Sequence, residues 1–103
     1  MTTEPTAPED DRSPDAVTDN RAEHRYELAV DGEVAIAAYD REGDVVAFTH
    51  TAVPPRLEGR GIAGRLVAGA LADVRARGLK VKPLCSFVAA YIERHPDTRD
   101  LIA

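Results

Sequence analysis

The chain has 103 residues, a net charge of −5, one cysteine and no tryptophan, which confines it to one small domain and excludes an internal disulfide framework. No apolar run approaches the ~20 residues that span a bilayer, and the first residues lack the basic-then-apolar order of a secretory signal, so a cytoplasmic protein without a membrane partner is expected. The acidic balance argues against a nucleic-acid partner.

Residues 1–22 hold six acids against Arg12 and Arg21, with three prolines and almost nothing large and apolar. They read as a disordered acidic tail, leaving residues 23–103 as the domain. In residues 24–30, Tyr26, Leu28 and Val30 alternate with Arg25 and Glu27, the period of a half-buried strand. "DGE" then reads as a tight hairpin turn, because Asp-Gly tolerates positive φ. Residues 33–39 form a second strand, "DREGD" turns again, and residues 45–53 read as a third strand rich in β-branched residues. Pro54 and Pro55 stop it, since proline cannot donate to a ladder.

Past the glycines, Ile62, Leu66, Val67, Ala70, Leu71 and Val74 recur at helical spacing and predict a helix closed by Gly78. Residues 79–84 predict a fourth strand, parallel to the third through a right-handed crossover. Residues 86–94 predict a short helix with Phe87, Val88, Tyr91 and Ile92 inward, and the last seven residues have no assigned structure. The expected fold is α+β, with a mixed, mostly antiparallel sheet, a β-α-β crossover and a short C-terminal helix.

The loop between the third strand and the helix, "EGRGIAG", carries the clearest functional signal. The first turn of a helix exposes unpaired N–H groups and a partial positive charge, an anion site that needs no side chain. Gly59, Gly61 and Gly64 allow close backbone approach, and Arg60 and Arg65 can add charge-assisted bonds. The same glycines would equally suit a tight strand-to-helix turn. Charge tilts the balance toward anion binding: residues 23–55 carry seven acids against two bases, whereas residues 56–82 carry seven bases against two acids. The loop fits neither triphosphate nor dinucleotide motifs, because no Lys-Ser/Thr pair closes it and no acidic residue follows at the required distance.

"EGRGIAGRLV" resembles motif A of the GNAT superfamily of acyl-CoA-dependent N-acetyltransferases, written Arg/Gln-x-x-Gly-x-Gly/Ala. In the register that matches the helix, Gly61-Ile62-Ala63 supply Gly-x-Gly/Ala and Glu58 stands where Arg or Gln is expected. A register two residues earlier matches Arg56, Gly59 and Gly61 but starts the helix too soon. Together with "GLKVKPLCSFVAAYIERHP", the chain from about Tyr26 onward is similar to a very short, single-domain branch that lacks the usual N-terminal helices and C-terminal strands. The resemblance implies a minimal GNAT-like fold whose third and fourth strands splay to admit the pantetheine arm. It also implies acetyl-CoA (coenzyme A) as co-substrate, an amine acceptor on a protein or small molecule, and a diphosphate held by Gly59, Arg60, Gly61, Ile62, Ala63, Gly64 and Arg65.

It further implies that His50 and Cys85 line the acetyl site. The residues agree in part: His50 is expected to share a face with Val46 and Phe48 near a strand end, and Cys85 opens a helix, where the dipole favours thiolate. Unaided, a lone histidine or cysteine more often fills a structural position. Direct transfer with His50 as base and a two-step route through Cys85 both remain open. Tyr91, on the helix where the superfamily keeps its proton donor, arrives one residue early and reads as a core residue with a polar tip. His24 and His95 read as surface or terminal. The competing readings are a degenerate coenzyme A-binding regulatory module and an interaction domain without ligand. No metal site is expected from three scattered histidines and one cysteine, and the acceptor and oligomeric state are left open.

Overall fold

The structure, a computed structural model, describes residues 17–103. Five strands lie side by side in chain order: β1 (Thr18–Asn20), β2 (Arg25–Val30), β3 (Glu33–Glu42), β4 (Val45–Ala52) and β5 (Lys80–Pro83). The first four are antiparallel, and β5 joins β4 in parallel. The crossover between them carries a 3-10 turn, Pro55–Leu57, and helix α1, Ile62–Ala76. Helix α2, Ser86–Arg94, and a second 3-10 segment, Pro96–Leu101, complete the described chain. The expected mixed α+β sheet and crossover are present.

Local chemistry accounts for the turns. Asp31 and Gly32 both take positive φ (53° and 80°) between β2 and β3, as a two-residue primed hairpin requires. At the end of α1, Gly78 N–H donates to Arg75 C=O (3.0 Å) and Leu79 N–H to Val74 C=O (3.0 Å). That pair of bonds is a Schellman motif, and Leu79 is buried beside the turn it closes. The six apolar positions that predicted α1 are the six it buries. They pack on Tyr26, Leu28, Ala35, Ala37, Val46, Phe48 and Val81 from one face of the sheet in a single core. Tyr26, Tyr39 and Phe48 form its aromatic centre, with ring centroids 5.5 to 6.2 Å apart.

Three expectations need correction, and one segment left open is resolved. Residues 18–20, assigned above to the tail, form edge strand β1 on β2; the rest of that assignment, residues 1–16, lies outside the described residues. Polar bonds rather than apolar burial hold β1. Asp19 accepts from the Tyr39 hydroxyl at 2.5 Å and faces Arg77 of α1's C-cap at 3.4 Å. The last residues are structured: Leu101 is buried, Ile102 bridges to Val81, and Ala103 N–H donates to Val81 C=O at 2.9 Å. The Arg75 guanidinium ties this segment to α1 through two 2.8 Å bonds to the Asp100 carboxylate and one to Asp97 C=O. The fourth strand is shorter than expected, leaving Leu84 exposed. Of the four residues expected inward on α2, Val88 and Ile92 are buried, Tyr91 is half-buried and Phe87 is exposed.

Candidate active site

The strands that matter part company at Phe48. β4 pairs with β5 from Val45 to Phe48, opposite Lys80 to Pro83, and Cys85 N–H closes the ladder on Phe48 C=O at 2.8 Å. Beyond that bond β5 has ended, while β4 runs on to Ala52. The result is a fork with Cys85 at its apex and one edge of β4 open.

At the mouth of this fork lies the glycine loop. Gly59 and Gly61 adopt φ of 79° and 73°, the left-handed region that favours glycine, and Gly61 is the N-cap of α1. The first intrahelical bond runs from Arg65 N–H to Gly61 C=O at 3.1 Å, so the amides of Ile62, Ala63 and Gly64 precede the helix's own ladder. A cavity of about 240 Å³ is lined by Val53, Leu57, Glu58, Gly61, Gly64 and Phe87, among others. It is apolar on the strand and α2 side and edged by loop backbone. The exposure of Phe87 therefore has a reason: its ring walls this cavity.

Side-chain charge is less available than the sequence suggests. Arg60 pairs with Asp31 at 3.0 Å, Arg56 with Glu33 at 3.3 Å, Arg75 with Asp100, and Arg77 with both Asp73 and Asp19. The acids of residues 19–44 and the last turn fold back onto the basic segment. What this leaves at the loop is the backbone donor set of α1, with the Glu58 carboxylate at its edge.

At the apex, Cys85 is buried and forms the N-cap of α2. Its Sγ lies 3.3 Å from the Thr51 hydroxyl. Burial pushes the thiol up, but the Thr51 hydroxyl and the backbone N–H groups of Val88, Phe87 and Thr51 outweigh it, and the thiol titrates below its ordinary range. The helix amides act at this distance without completing a cap hydrogen bond to sulfur. A thiol so placed ionises more readily than a free one.

His50 does not sit where alternation along the strand places it. Tyr39 pairs with Phe48 and Ala38 with His50, so Thr49 is an extra residue, a β-bulge. Directly opposed residues share a face, and the buried Ala37 is opposite Thr51. The bulge thus turns Thr51 to the core side with Phe48 and puts His50, exposed, on the opposite face with Ala38. Sequence reasoning missed Thr51 because a period of two cannot be carried across a bulge. Tyr91 is away from the fork: it stacks on His95 at 3.9 Å and lines a separate cavity of about 340 Å³ between α1 and the C-terminal segment. Burial, then Asp97, pushes its phenol up.

A profile of the GCN5-related N-acetyl-transferase family matches residues 25–101. The chain belongs to that family. The match spans the sheet from β2 onward, both helices and the fork, and it assigns acetyltransferase-type function in general terms. No curated protein matches the chain. Among the described residues of this N-acetyltransferase-family domain, no cluster of three or more His, Cys, Asp or Glu side chains could hold a metal, and no helix is long and apolar enough to cross a membrane.

Proposed function

We propose that the protein is an acetyl-CoA-dependent N-acetyltransferase that moves an acetyl group to an amine of a protein or small molecule. One observation carries the reading: the gap between β4 and β5 opens from the Cys85 thiol toward the first-turn amides of α1. An extended ligand with a diphosphate at one end and a reactive carbonyl at the other matches that layout. In this reading the diphosphate lies on the amides of residues 61–64, and the pantetheine arm follows the edge of β4 beyond Phe48, which β5 does not pair. Gly59, Arg60, Ile62, Ala63 and Arg65 complete the loop around it.

The chemistry is acyl transfer. The acceptor nitrogen attacks the thioester carbonyl carbon, the C–S bond breaks, and coenzyme A leaves as thiolate to be protonated. In this reading His50, exposed on the side of β4 away from Phe48 and Thr51, takes the proton from the incoming amine. Cys85, inside the fork, is placed on the thioester side. The exposure of His50 suits an acceptor as bulky as a protein lysine or N-terminus, and admits a small amine.

The second reading, a coenzyme A-binding module without turnover, is favoured by Glu58 standing where the family's motif has Arg or Gln. Two measurements separate them. Acetyl-CoA raises the melting temperature under both, whereas release of coenzyme A with an amine acceptor, lost in Cys85→Ala or His50→Ala, belongs to the enzyme alone. Intact-mass analysis after incubation with acetyl-CoA then assigns the route. An acetyl adduct on Cys85 means two steps, and binding without an adduct means direct transfer. If calorimetry at modest ionic strength detects no affinity for coenzyme A, both readings fall.

A further inference from the structure

We propose that Thr51 is the positioning residue for Cys85, its hydroxyl holding the thiol sulfur at the apex of the β4–β5 fork. The inference deepens the acetyl-transfer reading and rests on it for what the thiol goes on to do. The coupling of the two side chains stands on geometry alone.

The β-bulge at Thr49 is the structural cause. Without the extra residue, alternation would turn His50 inward beside the fork and Thr51 outward to solvent. With it, Thr51 comes opposite the buried Ala37, on the core side of β4, and its Oγ1 lies 3.3 Å from Cys85 Sγ. Both ends of this contact are pinned. Cys85 is tied to β4 by its N–H bond to Phe48 C=O at 2.8 Å, and a β-branched side chain has few χ1 choices in a strand. A neutral thiol can donate to or accept from the hydroxyl, but a thiolate can only accept, so the contact favours ionisation. The groups acting on the sulfur are burial, the Thr51 hydroxyl and the amides of Val88, Phe87 and Thr51, with no charged side chain among them. Among the described residues the hydroxyl is therefore the side chain that acts on this thiol, and a substitution there isolates its effect. A division of roles follows: Thr51 serves the thiol inside the fork, while His50 faces the acceptor side.

The test is the pH dependence of iodoacetamide alkylation of Cys85, the single thiol of the full chain, in wild type, Thr51→Val and Thr51→Ser. Circular dichroism checks the fold of each. In Thr51→Val the midpoint is expected to move up by about one pH unit, so that thiolate at neutral pH falls roughly tenfold. Thr51→Ser, which restores a hydroxyl, is expected to titrate with the wild type. An unchanged midpoint in Thr51→Val, or a raised one in Thr51→Ser, overturns the proposal. If Thr51→Val does not fold, Thr51→Ala is titrated and read in the same way. Coenzyme A affinity of the wild type is measured alongside. Loss of that affinity removes the acetyl-transfer reading and leaves the Thr51–Cys85 coupling standing, whereas an unmoved midpoint does the reverse.

Discussion

At the scale of single residues, Glu58 is the position where this chain departs most clearly from its family's motif, and the structure places it on the wall of the cavity beside α1's first turn. In the proposed reading a carboxylate there opposes the diphosphate on the neighbouring amides, at an exposed site where the penalty for one charge is of the order of 1 kcal/mol. Glu58→Gln is therefore expected to tighten coenzyme A binding severalfold, with the gain shrinking as salt is raised. Calorimetry of the variant at two ionic strengths checks this; equal affinities would place the diphosphate elsewhere. Cys85 was legible as a candidate because it opens a helix, a feature of local sequence. Its partner was not, because Thr51 reaches it only through a bulge that pairing with β3 creates.

At the scale of elements, the strand-loop-helix unit can be dissected with two glycines that differ in their reason for being there. Gly61 caps α1 at positive φ, so a side chain at that position is strained whatever the surrounding space. Gly64 lies inside α1 with ordinary backbone angles, and an added Cβ would meet nothing within 4 Å. Gly64→Ala is accordingly expected to stabilise the fold by roughly 0.5–1 kcal/mol, the difference in helix propensity. If the loop exists to let a phosphate approach the backbone, the same variant loses coenzyme A affinity. Urea unfolding and calorimetry on one variant thus separate folding from binding; a stabilised variant that binds normally would show that Gly64 serves the turn and not the ligand. The strand β4 was readable as a strand, but its splay from β5 depends on where β5 stops, at Pro83, and on the Cys85 to Phe48 bond beyond it.

At the scale of the whole molecule, a polar chain ties the far end of the sheet to the end of α1. The Tyr26 hydroxyl donates to Asp73 at 2.7 Å, Asp73 faces Arg77 at 3.1 Å, Arg77 faces Asp19 at 3.4 Å, and the Tyr39 hydroxyl donates to Asp19. Burial, followed by the bond to Asp19, pushes the Tyr39 phenol up to about 12, and burial with Asp73 pushes Tyr26 in the same direction. A raised value in the folded state means that folding favours the protonated phenol. Its contribution is complete below the unfolded phenol's pKa of about 10 and is lost as pH climbs through about 12. Tyr39→Phe is expected to cost about 1 kcal/mol at neutral pH and to flatten part of the alkaline loss of stability. Urea midpoints at neutral pH and across the alkaline range check both; an alkaline slope as steep as in wild type would assign that slope to the other raised phenols, Tyr26 and Tyr91.

By itself, the order of residues determined the features whose causes are local in the chain. The Asp31-Gly32 turn, the six buried positions of α1, the Gly78 stop and the glycine-rich entry to α1 all follow from φ preferences and helical periodicity within a few residues. Only the tertiary structure decided the rest, because it depends on partners far apart in sequence. Edge strand β1 has too little apolar surface to announce itself and is held by Tyr39 and Arg77. The basic run of residues 56–82 looked available until the fold brought Asp31, Glu33 and Asp100 against it. The face of His50 and the meeting of Thr51 with Cys85 were set by one extra residue in β4, which reverses the alternation and has no signature before the strands pair.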